Sequence, residues 1–66
     1  MQVTVNGAAT DVEDAATVAS VVEARTSGHR RVAVARNGDV VPRSAWETTQ
    51  LTAGDSLEVL APTAGG

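Results

Sequence analysis

The sequence predicts an α+β fold, with a mixed sheet of four to five strands packed on one helix. Three observations point to it. Val3 and Val5, Val32 and Val34, and Leu57 and Val59 alternate with other residue types, the period of two expected of half-buried strands. Asn6-Gly7 and Asn37-Gly38 each follow such a run, and both residues of an Asn-Gly pair accept the positive φ of a two-residue hairpin. Between the two pairs, Val18, Val21 and Val22 recur at i, i+3 and i+4, which puts them on one helical face.

The opening strand covers the Val3–Val5 alternation, and its partner runs from Ala8 to Val12. Glu13-Asp14 ends the hairpin, and Thr17 is placed to cap a helix from Val18 to Ser27. Valine is a poor helix former, so packing has to support this helix. Gly28 suits the position just past its end, and Arg25 complements the dipole in its last turn. A third strand passes through Val32 and Val34, and Val40-Val41 makes a short fourth that Pro42 ends by withholding an N–H. Ser44 is placed to cap a single helical turn containing Trp46. Ala53-Gly54-Asp55 is a turn, and Ser56 to Leu60 is the last strand, stopped by Pro62. Val3, Val5, Val18, Val22, Val34, Leu57 and Val59 are expected to share one core, with the first and last strands as parallel neighbours in mid-sheet. That order and placement describe the ubiquitin-like β-grasp. Residues 1–62 form the domain; residues 63–66, with nothing to pack against, form a flexible tail.

A chain of 66 residues holds one domain. A domain this short buries only about 60% of its unfolded surface, so a stability of about 3–5 kcal/mol is expected. Eight acidic residues against five arginines give a net charge of -3, which disfavours nucleic acid as a partner. Trp46 is the single aromatic, so stacking platforms for bases are missing too. The chain has no lysine, and therefore offers no ε-amine to an activated acyl group. It has no cysteine, hence no disulfide, thiolate nucleophile or cysteine metal site. No apolar run approaches the roughly 20 residues of a membrane span, and the opening residues do not resemble a signal peptide. The expectation is a cytoplasmic protein, monomeric when free.

Catalytic constellations are scarce. His29 is the one histidine, in a polar loop without a second ligand type at metal spacing. Asp11, Glu13 and Asp14 gather at the helix entrance, where negative charge is favourable for structural reasons. No glycine pattern leads into Lys-Ser or Lys-Thr, as a phosphate loop would. Trp46 is expected to cover an edge of the core, and Arg43 to be solvated or bonded locally. The chain reads as a carrier or binding module, not as an enzyme, with no cofactor of its own.

The C-terminus offers chemistry of another kind. A terminal carboxyl has a reference pKa of about 3.3–3.7, so it is ionised near neutral pH and can attack a phosphate to form an acyl-adenylate. Gly65 and Gly66 lack a Cβ, so the end of the chain can enter a narrow channel with its acyl carbon open to attack. Strand parity adds a second candidate. With Leu57 and Val59 facing the helix, Leu60 faces away, near Ala33 and Ala35, and these three make a shallow apolar patch for a partner.

Several segments together resemble the ThiS family of thiamine-biosynthesis sulfur carriers. They are the opening strand with Asn6, Thr17-Val18, the run Val40-Val41-Pro42-Arg43-Ser44-Ala45-Trp46, the Gly54-Asp55 turn and the final Ala64-Gly65-Gly66. The resemblance implies that a ubiquitin-activating-like adenylating enzyme, using ATP and Mg2+, adenylates Gly66, with Ala64, Gly65 and Gly66 threading its active site. A persulfide donor then converts Gly66 to a thiocarboxylate, and thiazole synthase takes the sulfur. The Gly-Gly ending equally suits a carrier for molybdopterin or cysteine synthesis, or a conjugated ubiquitin-like modifier. A β-grasp interaction module with an inert tail is the alternative of another class.

Overall fold

The computed structural model describes residues 1–26 and 32–60. The expected helix end at Ser27-Gly28, the His29 loop and the chain from Ala61 onward lie outside the described residues. The elements are β1 (Gln2–Val5), β2 (Ala8–Asp11), α1 (Val18–Thr26), β3 (Ala33–Arg36), β4 (Asp39–Val41), a 3-10 turn (Arg43–Ala45) and β5 (Ser56–Leu60).

Both Asn-Gly pairs form the hairpin turns expected of them. Asn6 and Asn37 each have φ 51°, and Gly7 and Gly38 have φ 83° and 89°, the positive values a tight hairpin requires. β1 pairs antiparallel with β2, and β3 with β4. The sheet order is β2-β1-β5-β3-β4, so the last strand fills the centre. There it pairs parallel with β1, through Thr4–Ser56 and Val5–Leu57, and antiparallel with β3 from Ala33–Leu60 to Arg36–Leu57. The parallel contact of first and last strands is the one predicted.

α1 covers one face of this sheet. Thr17 caps it as expected: its Oγ1 accepts from Ser20 N–H at 3.3 Å, and Ser20 Oγ accepts from Thr17 N–H at 3.0 Å. Two further N–H groups of the first turn find carbonyls outside the helix. Val18 N–H donates to Thr49 O at 3.0 Å and Ala19 N–H to Trp46 O at 3.1 Å, so residues 46–49 complete the helix start.

All seven residues assigned to the core are buried, with Leu57, Val5 and Val18 at 0% exposure. Ala16, Val21, Trp46 and Leu51 join them. Ala16 and Leu51 come from irregular segments tied together by Leu51 N–H to Ala16 O at 2.9 Å. Trp46 closes the core edge at 8% exposure, its indole N–H donating to Val41 O at 2.9 Å, and the Arg43 guanidinium lies 5.2 Å from its ring centroid. One local expectation is corrected. Ser44 does not cap the short turn; it lies inside it, and Pro42 holds the capping position in extended conformation with no side-chain hydrogen bond. Pro42 O accepts from Ala45 N–H at 2.8 Å and so closes the turn through the backbone, without a capping hydroxyl.

Asp55, at the turn before β5, is buried and charged. Its carboxylate accepts from Thr52 N–H at 2.7 Å, Arg36 Nε at 2.9 Å and Asn37 Nδ2 at 3.0 Å. Burial pushes its pKa up, but the bonds from Thr52, Asn37 and Arg36 and the Arg36 charge outweigh this and hold it below the usual value.

Candidate functional site

The sheet face opposite α1 is built by strand parity. In β5, Leu57 and Val59 point into the core, so Ser56, Glu58 and Leu60 point outward. β3 runs antiparallel beside it with Ala33 directly across from Leu60 and Ala35 across from Glu58. The structure therefore brings Leu60, Ala33 and Ala35 to one outer face. Leu60 is 61% exposed, bordered by two side chains too short to cover it.

Val40 extends this patch, and the sequence reading had not included it. It pairs with Ala35 on the next strand and is 77% exposed. The missed signal was the pairing of Val41 with Val34, which turns Val41 inward and Val40 outward. Leu60 and Val40 are the large hydrophobic residues exposed among the described residues, and both lie on this face. Glu58 is the charged side chain among them.

Leu60 also ends β5, the central strand of the sheet, at the edge of the patch. Ala64, Gly65 and Gly66 themselves lie outside the described residues. Among the described residues no group of three or more His, Cys, Asp or Glu side chains could hold a metal ion. An open cleft of about 320 Å3 lies on the other side of the molecule, between β2 and α1, with Val12, Ala16, Val21 and Ala24 in its lining. None of the helices described is long and apolar enough to cross a membrane.

Comparison with known proteins agrees with this architecture. The ThiS family model matches residues 3–66. A crystal structure of the thiamine biosynthesis protein ThiS from Geobacter metallireducens is 32% identical, with a TM-score of 0.82 and full coverage of both chains. A solution NMR structure of a thiamine biosynthesis protein from the same organism is also 32% identical, with a TM-score of 0.79, covering 100% of this chain and 88% of that one. A search of curated proteins gave no match.

Proposed function

The chain belongs to the ThiS family, and from this we propose that it is a sulfur carrier of thiamine biosynthesis whose reactive group is the Gly66 carboxyl. The supporting observation is the family match through residue 66, which takes in the Gly-Gly ending as well as the fold. In this reading residues 1–62 are the docking domain and residues 63–66 the reactive tail.

The partner is an adenylating enzyme similar to ubiquitin-activating enzymes, and it brings ATP and Mg2+. One oxygen of the Gly66 carboxylate attacks the α-phosphate of ATP; the bond to the β-phosphate breaks and pyrophosphate leaves. The resulting acyl-adenylate is open to a persulfide, whose sulfur attacks the acyl carbon as AMP departs. A thiol then attacks the donor-side sulfur of the resulting acyl disulfide; the donor leaves as a mixed disulfide with that thiol, the electron pair stays on the acyl sulfur as a thiocarboxylate, and thiazole synthase takes this sulfur. Gly65 and Ala64 keep the approach narrow enough for a channel. The reaction draws on ATP and sits in the cytoplasm. The outer-face patch of Leu60, Ala33 and Ala35, extended by Val40, is the docking surface; its exposed leucine and valine give a partner apolar area to bury.

The test is pyrophosphate release from ATP with a ThiS-type adenylating enzyme. The full chain should support release, and the chain lacking Gly66 should not, because its carboxylate starts one residue short of the phosphate. An inert-tail interaction module predicts no release from either chain. Equal release from both would remove Gly66 from the chemistry.

A further inference from the structure

The parallel ladder between β1 and β5 ends where the first hairpin turns away, yet β5 continues for three more residues towards the C-terminus. Thr4 N–H donates to Asp55 O at 2.8 Å and Asn6 N–H to Leu57 O at 2.8 Å. The next two rungs would take Val59 N–H to the carbonyl of residue 6, and the N–H of residue 8 to Val59 O. The backbone cannot supply them, because Asn6 at φ 51° has already entered the turn. The Asn6 side chain supplies both. Its Oδ1 accepts from Val59 N–H at 2.8 Å, and its Nδ2 donates to Val59 O at 3.2 Å. One carboxamide thus stands in for a peptide group, and the two bonds fix which of its ends is oxygen.

Asn37 does a related job at the other end of the same strand. It occupies the same turn position, and its Oδ1 accepts from Ser56 N–H at 2.9 Å. Each Asn-Gly turn therefore secures one end of β5, but Asn6 holds the end that leads to Gly66.

We propose that Asn6 is a positioning residue for the reactive terminus: by clamping Val59 it fixes the length of chain between the sheet and Gly66. This rests on the carrier reading. With β5 held to Leu60, the six residues 61–66 reach at most about 20 Å. β3 still pairs with the other edge of β5 as far as Leu60, so loss of the Asn6 bonds frays the end of the strand, and each residue freed adds about 3.4 Å to that reach. A longer tail visits a given active site less often, and a partner has more chain to order when it docks. Apart from turn preference, a plain hairpin role would need no side-chain bonds to a strand 53 residues away in sequence.

The test compares Asn6→Gly with Asn37→Gly in the full chain, since glycine keeps the positive φ of either turn and removes the side-chain bonds, and its added backbone entropy is common to both variants. In Asn6→Gly the Val59 amide should exchange about 10- to 100-fold faster, the loss expected for two hydrogen bonds. With a ThiS-type adenylating enzyme its KM for the carrier should rise about fivefold, the cost of re-ordering one residue, while kcat stays within about twofold. Asn37→Gly should lose stability through Ser56 and Asp55, yet keep Val59 protection and the parental KM. Asn6→Asp, which keeps an acceptor for Val59 N–H, should fall between parent and glycine variant, and it carries the test if the glycine variant does not fold. Unchanged Val59 exchange overturns the clamp. An unchanged KM in a chain whose Val59 has come loose, or an equal KM rise in Asn37→Gly, overturns the positioning role. A parental chain that releases no pyrophosphate overturns the carrier reading and the positioning role with it, and the exchange result then decides the clamp separately.

Discussion

Replacing Asp55 by Asn should cost this domain a large share of its stability, and the loss should carry a pH signature. The carboxylate takes two donors on Oδ2, Thr52 N–H and Arg36 Nε, and one on Oδ1, Asn37 Nδ2. An amide of the same shape must point its NH2 at one of these donors. Asn37 cannot relieve the conflict by turning over, because its own Oδ1 accepts from Ser56 N–H at 2.9 Å. Hydrogen bonds to a charged group contribute about 1.5–3 kcal/mol each, and the half-buried Arg36 recovers part of its share from water. A net loss of about 2–3 kcal/mol follows for Asp55→Asn, against a total of about 3–5 kcal/mol for a domain of this size. With a urea slope near 1 kcal/mol/M, the midpoint should fall by about 2–3 M, read from the fluorescence of the buried Trp46. The folded pKa of Asp55 lies below its usual value of 3.8. Its contribution is therefore complete above the unfolded pKa and is lost as pH falls through the folded value. The parent should lose stability relative to Asp55→Asn as the pH falls below the usual value of 3.8 and through the lower folded value, and the two curves should converge in acid. An unchanged midpoint near neutral pH, or parallel curves in acid, would mean that the Asp55 carboxylate does not hold this turn.

Leu57 has 0% exposure at the centre of the sheet, and Leu57→Ala should cost about 2–5 kcal/mol, leaving much of the chain unfolded at room temperature by circular dichroism. Thr17→Ala removes the helix cap and should cost about 1 kcal/mol in urea unfolding, with the sheet unchanged. Leu60→Asp, on the exposed outer face, should leave circular dichroism and stability unchanged yet slow adenylation; a parental adenylation rate would move the docking surface elsewhere.

The strands were legible because period-two valines and Asn-Gly pairs are local signals: alternation sets the buried face, and the turn pair sets the register. Strand parity puts Leu60 on the outer face near Ala33 and Ala35, and the pairing of β3 with β5 sets it directly across from Ala33. Val40 escaped because a three-residue strand is too short to show its own period, and its direction comes from the Val34–Val41 pair. Ala16 and Leu51 escaped for a related reason. They lie in irregular chain, and the contact that buries them joins segments far apart in sequence. The second role of Asn6 was hidden more deeply. Its turn preference can be read from the dipeptide, but its bonds to Val59 depend on β5 lying beside β1.

As a sulfur carrier, the chain should hold its sulfur on Gly66. The direct measurement is intact mass of the full chain after incubation with a ThiS-type adenylating enzyme, ATP and a persulfide donor, followed by fragmentation. The full chain should gain the mass of replacing one oxygen by sulfur, located on Gly66, and the chain lacking Gly66 should gain none. Sulfur located on any other residue, or full loading of the truncated chain, would contradict it.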